Sequence, residues 1–176
     1  MNNQVQKPDE RVQIVDESNN PTGAATRSDM RAKNLIHRCS FTMIFNSQGE
    51  LYVQKRVAFK ETYALHYDPA PGGVVGEGES YEQNAAREIE EEMGVSGVDL
   101  ERQFDFFYSD TVCRLWGRLF CCQYEGPFKL DPEEVESGQF MSMEEVGDLL
   151  RSGPVCPDSK AAVAQYLRLH APALKP

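Results

Sequence analysis

Residues 72–95 read GGVVGEGESYEQNAAREIEEEMGV. A cluster of glycines runs into a helix from Ser80 to Met93, which stops before Gly94, the residue type best suited to end a helix. Side chains three and four apart share a helix face, so Glu88, Glu91 and Glu92 line up along one side. Ala85, Ile89 and Met93 recur every four residues on another face, which the spacing predicts to be buried against a sheet. Like charges this close weaken a helix by a few tenths of a kcal/mol per pair, and Arg87 is the one basic residue in the helix. Carboxylate clusters are what hard divalent cations bind, Mg²⁺ with octahedral oxygens and phosphates in its shell. The plainer alternative is a solvated acidic face. The choice between them rests on the spacing of the residues around the helix.

Working outward, RVQIVDESNNPTGAATR alternates apolar and polar residues and turns at Asn19-Asn20-Pro21, which predicts two short strands. Ser28 is a candidate cap for a short helix through SDMRAKNL. HRCSFTMIFNSQGELYVQKRV predicts a hairpin turning at Asn46 to Gly49. ALHYDPAPGGVV is extended and broken by Pro69 and Pro71. VDLERQFDFFYSD and TVCRLWGRLFCCQYE predict two long antiparallel strands, with one more at Gln139 to Met141. Ser142 lies three residues before Glu145, a capping box for a helix closing at Gly153, and DSKAAVAQYLRLH predicts a last amphipathic helix. Strands come first and helices follow among further strands, an α+β or mixed α/β layered domain and not a doubly wound parallel sheet.

The 176 residues suit one domain with a core. A formal net charge of −10 repels nucleic acid and anionic membranes, while a divalent cation would offset it locally and admit small anionic substrates. No apolar run approaches the ~20 residues of a membrane helix, and the start MNNQVQKPDERVQ has no signal-peptide character. Cys39, Cys113, Cys121, Cys122 and Cys156 form no C-x-x-C pair, which predicts free thiols in a reducing cytoplasm and argues against structural zinc. Adjacent Cys121 and Cys122 should point to opposite faces of a strand.

Gly73, five residues, Glu79, seven residues, then Arg87-Glu88-Ile89-x-Glu91-Glu92-x-Gly94-Val95 resembles the box of the Nudix superfamily at every fixed position. The resemblance implies an α/β/α sandwich with a mixed β-sheet, the box forming loop, helix, loop. It also implies hydrolysis of a nucleoside diphosphate linked to another moiety, with Mg²⁺ or Mn²⁺ held by Glu88, Glu91, Glu92 and the carbonyl of Gly72. Glu88 is also a candidate base, and Glu134 is the candidate later-loop glutamate that joins the site in such proteins. Arg87 is expected to orient carboxylates with its planar fork, Glu79 being one partner, and the glycines to let backbone approach a metal or phosphate. The reaction expected is in-line water attack on phosphorus.

The segment HRCSFTMIFNSQGELYVQKRVAFKETY is similar to isopentenyl diphosphate isomerases, which share this fold. Their cysteine nucleophile motif is absent, however, and DPAPGGVV stands in its place. The chain resembles most the bacterial hydrolase subgroup that keeps this N-terminal segment and a complete box. The alternatives are an isomerase-like enzyme and a non-catalytic diphosphate-binding module. His37 is expected as a hydrogen-bonded residue at a strand start, Cys39 as packing, and Arg56 as a candidate phosphate contact. The implied organisation is a flexible N-terminus over 1–10, a strand and helix extension over 11–35, the hydrolase domain over 36–170 and a tail over 171–176. A small diphosphate is the expected partner, with cytoplasmic location. The extension could pair with a second copy in a homodimer or cap its own domain.

Overall fold

The computed structural model describes residues 9–60 and 62–170. The tail expected over 171–176 and most of the expected frayed N-terminus lie outside them. Strands β1 (Arg11–Val15), β2 (Pro21–Thr26), β3 (Ile36–Phe45), β4 (Leu51–Arg56), β5 (Tyr67–Asp68), β6 (Glu101–Ser109), β7 (Arg114–Gln123) and β8 (Val135–Met141) form one mixed sheet. Helix α1 (Arg27–Ala32) follows β2, α2 (Tyr81–Met93) crosses one face, and α3 (Met143–Ser152) and α4 (Pro157–His170) cover the other.

The layering follows from strand alternation. Cys39, Phe41 and Met43 of β3, with Leu115, Leu119 and Cys121 of β7, point to the core under α3 and α4. Ile44 and Cys122 point the other way, onto Ile89 and Met93 of α2. The two adjacent cysteines therefore do face opposite layers, and Ala85, Ile89 and Met93 are buried as their spacing predicts. Full burial of side chains the size of Ile89 and Met93 contributes about 1.5–3 kcal/mol each, which outweighs the repulsion on the acidic face of the helix.

Several local expectations change. The hairpin is paired only at its tip, Phe45 with Leu51. Beyond the tip, β3 runs parallel to β7 along its whole length and β4 runs antiparallel to β8. The segment between Pro71 and Val75 occupies the gap on β3, with Ser40 N–H donating to the Gly73 carbonyl (3.0 Å) and Thr42 N–H to that of Pro71 (2.9 Å). The turn residues fixed the tip, but non-local pairing decided the neighbours. Strand β8 begins at Val135, four residues before Gln139. The cap of α1 is Thr26, whose Oγ1 accepts from Asp29 N–H, while Ser28 is engaged with Asp9. The N-terminal strands join their own sheet, Ile14 pairing with His37. Among the described residues no helix is long and apolar enough to cross a membrane.

Candidate active site

Helix α2 is fixed at both ends by its own sequence. Ser80 and Gln83 form a capping box, and Gly94 closes the helix in the left-handed conformation at φ 69°. The last carbonyls are satisfied from outside the helix: Lys129 N–H donates to Met93 (2.9 Å) and Asp131 N–H to Glu92 (2.9 Å). Asp131 in turn accepts from Glu134 N–H at 3.1 Å. The helix end thus docks the loop that carries Glu134 to a cavity of about 310 Å³. Gly72, Gly73, Glu92, Arg56 and Lys60 line the same cavity, and Lys60 pairs with Glu134 on its wall.

The three helix carboxylates sit at graded depth. Glu92 is buried at 7% exposure and its Oε2 accepts from Gln54 Nε2 at 2.8 Å. Burial pushes Glu92 up to about 7, Asp68 and Glu88 adding repulsion and Gln54 pulling the other way. Glu88 packs behind the cavity wall against Gly73, and burial raises its pKa as well. Glu91 is exposed. Arg87 reaches three carboxylates, not two: Glu79 and Glu88 at 2.9 Å and Glu91 at 3.0 Å. Burial works against the charge on Glu79, but Arg87, the Gly76 N–H and the Asn84 amide hold its pKa below the ordinary value. With Arg87 and Gln54 engaged in this way, no three His, Cys, Asp or Glu side chains among the described residues are grouped to hold a metal ion. Two of the donors nevertheless suit a hard cation: the desolvated carboxylates of Glu88 and Glu92, which lie close enough for Glu88 to repel the charge on Glu92, near the backbone of Gly72. The carbonyls of Pro71 and Gly73 bond to β3, and alternation turns that of Gly72 away from it.

Arg87→Ala would leave Glu79, Glu88 and Glu91 without their shared cation. The expected loss is about 1–2 kcal/mol, discounted for the partial exposure of the group, and urea unfolding reads it.

The glycines serve close packing more than backbone freedom. Neither Gly72 nor Gly73 has a positive φ. A Cβ on Gly73 would overlap the Glu88 carboxylate, and one on Gly72 the Ser40 carbonyl.

Arg56 is a cavity residue, and its Nε is buried without a hydrogen-bond partner among the described residues. His37 is buried, with Nδ1 3.0 Å from the Leu35 carbonyl, and burial lowers its pKa. Cys39 and Cys113 also line the cavity. Burial raises Cys39 well above its ordinary value and Cys113 to about 12, so neither offers a thiolate at neutral pH. The sequence reading missed Asp68, Asp158 and Lys60, and gave Gln54 no role. Asp68, buried, and Asp158, half-buried, line the cavity, and desolvation raises both, Asp158 to about 6.

Residues 36–163 match the model of the NUDIX domain. The chain is 39% identical over 156 residues to an uncharacterized Nudix hydrolase of Yersinia pestis, covering 89% of this chain and 85% of that protein. It is 36% identical over 160 residues to the uncharacterized Nudix hydrolase YfcD of Escherichia coli, covering 91% and 88%. Its fold is similar to that of a Deinococcus radiodurans crystal structure, with TM-score 0.78 at 22% identity, covering 89% of this chain and 98% of that one. It is also similar to the NUDIX domain of Shewanella oneidensis NrtR complexed with ADP ribose, with TM-score 0.63 at 14% identity, covering 82% and 99%. The box geometry, the family match and the full-length relatives agree that this chain belongs to the Nudix hydrolases, enzymes that cleave pyrophosphate bonds.

Proposed function

We propose that the chain is a metal-dependent pyrophosphohydrolase that cleaves the diphosphate linkage of a small molecule, a nucleoside diphosphate joined to another moiety or a related compound, by water attack on phosphorus. The observation that carries this reading is the junction of the box with the cavity. Glu92, Gly72 and Glu134 open onto the same space as Arg56 and Lys60, with Glu88 just behind Gly73.

Glu88, Glu91, Glu92 and the Gly72 carbonyl are the residues that would hold Mg²⁺ or Mn²⁺, which supplies charge neutralisation on the phosphates and a more acidic water. Glu88 and Glu91 become available as Arg87 shifts its hold toward Glu79, to which it has two donors, Nε at 2.9 Å and Nη2 at 3.3 Å. Arg56 lines the cavity, and its guanidinium gives a phosphate oxygen a charge-assisted bond, stronger than a neutral one. Glu88 accepts the proton of the attacking water, and burial holds its pKa above the ordinary carboxylate value. Glu134 positions that water from its place on the cavity wall, once Lys60 turns to the substrate.

The test is hydrolysis of a panel of nucleoside diphosphate derivatives, dinucleotides and non-nucleotide diphosphates in ¹⁸O-water, with Mg²⁺ or Mn²⁺ and with EDTA. The expected result is metal-dependent cleavage with one ¹⁸O in a phosphate product. Turnover in EDTA, or ¹⁸O on carbon, would overturn it.

A further inference from the structure

Strand β4 passes beneath helix α2. Tyr52 packs with Ile89 and Met93 in the layer under the helix, and Gln54, two residues on, points to the same face. Gln54 is 1% exposed, and it is the one polar residue among the largest fully buried side chains of the described residues. Its amide is half used. Nε2 donates to Glu92 Oε2 at 2.8 Å, whereas Oε1 is buried with no hydrogen-bond partner among the described residues. An oxygen left unpaired in the interior costs about as much as one hydrogen bond to a charged group gains. A methionine, similar in length and adaptable in shape, would fill the space without that cost. Stability alone therefore gives little reason for an amide here. What the amide supplies is one N–H aimed at one carboxylate.

That carboxylate is the inward member of the box. Glu92 lines the cavity, and its bond with Gln54 is the one side-chain hydrogen bond it makes among the described residues. Its surroundings work against its charge: burial first, with Asp68 and Glu88 adding repulsion. Of the groups that favour the charge, Gln54 acts most strongly, ahead of Lys60, which is already paired with Glu134. A carboxylate so placed gains by turning away from its acidic neighbours, and the Gln54 N–H opposes that turn. Residues that hold a metal depend on such outer partners for their orientation. We propose that Gln54 is a positioning residue for metal binding: by donating to Oε2 it fixes the Glu92 carboxylate in one orientation and leaves Oε1 for the divalent cation. This rests on the reading of Glu92 as a metal ligand, and it adds to the site a residue outside the box that acts only through Glu92.

The test reads metal binding without substrate or turnover. The Mn²⁺ affinity of the full chain is measured by electron paramagnetic resonance of the free ion, for wild type, Gln54→Met, Glu92→Gln and the double variant. Gln54→Met is expected to weaken Mn²⁺ binding by about 10–100-fold. Glu92→Gln should weaken it at least as much. The double variant should match Glu92→Gln within about twofold, because a residue that acts through Glu92 then has nothing left to position. Circular dichroism shows whether each variant is folded. Should Gln54→Met not fold, Gln54→Asn, whose amide falls one methylene short of Glu92, takes its place with the same expected loss. Wild-type affinity in the Gln54 variant would overturn the proposal, as would losses that multiply in the double variant. In both cases weaker binding by Glu92→Gln leaves the metal-dependent hydrolase reading standing. If wild type takes up no Mn²⁺, or if Glu92→Gln binds it as wild type does, the proposal falls together with the reading of Glu92 as a ligand.

Discussion

Glu92→Gln is expected to lower kcat on a diphosphate substrate by on the order of 10³-fold, and to raise the thermal midpoint of the protein at pH 8 in metal-free buffer. The two effects have one origin. Glu92 is held in the fold with its pKa up to about 7 instead of the ordinary 4.5, chiefly by burial. Between those values the folded state binds more protons than the unfolded state. Stability is therefore greatest below about pH 4.5, falls as pH rises toward 7, and stays at the lower level above it. The full displacement corresponds to on the order of 3 kcal/mol. Glutamine carries no such charge, and its amide oxygen still accepts from Gln54 Nε2, so the variant lacks this descent. Its midpoint should match wild type near pH 4.5 and exceed it at pH 8. Mg²⁺ should raise the wild-type midpoint at pH 8 and have little effect on that of the variant, because a ligand stabilises only the state that binds it. Near-normal turnover in metal-saturated Glu92→Gln would remove this carboxylate from the machinery. A midpoint difference that does not change with pH would show that the group is not held desolvated.

That coupling of cost and use explains which parts of the molecule were legible in the sequence. Local rules fixed α2: Ser80 and Gln83 cap it, Gly94 ends it, and Ala85, Ile89 and Met93 bury its apolar face. The α3 capping box at Ser142 and Glu145 was legible for the same reason. Strand partners were not. Asn46 to Gly49 specify a turn, but nothing within β3 and β4 says that they separate beyond Phe45 and Leu51 to admit residues 71–75 and β8. The candidate site divides in the same way. Spacing selected Glu79, Arg87, Glu88, Glu91 and Glu92, and the i, i+4 contact of Arg87 with Glu91 follows from helical geometry. Gln54 was different. Strand alternation puts it on the same side as Arg56 and opposite Lys55, which pairs with Glu136 at 2.7 Å, but only the packing of β4 beneath α2 brings Gln54 to Glu92. Arg27 and Arg31, which also line the cavity, carried no signal at all, since two arginines on a short helix ordinarily face water. Their place on the cavity comes from Met30 and from the return of β1 onto β3.

The glycine pair gives the second large effect, and the two substitutions should fail in different ways. In Gly73→Ala the new methyl meets the Glu88 carboxylate, the free end of a side chain that can rotate away. The fold should survive, with a change in urea midpoint within the range of ordinary surface substitutions. Glu88 would no longer lie where the box places it, and a displacement of about 1 Å in a positioned group can cost on the order of 10²-fold in rate. In Gly72→Ala the methyl meets the carbonyl of Ser40 in the middle of β3. Neither backbone can yield without stretching the Ser40–Gly73 and Thr42–Pro71 hydrogen bonds, 3.0 Å and 2.9 Å long. A stability loss of about 3 kcal/mol is expected there from overpacking and strained bonds together. Urea unfolding and kcat, measured on both variants, separate the cases. A stable but inactive Gly73→Ala beside a destabilised Gly72→Ala means that adjacent glycines do different work, one clearing space for a catalytic carboxylate and the other letting the box loop lie flat on the sheet. If Gly73→Ala kept full turnover, Glu88 would have no need of the position it occupies, and the proton-accepting role would pass to Glu134, one of the acids that line the cavity.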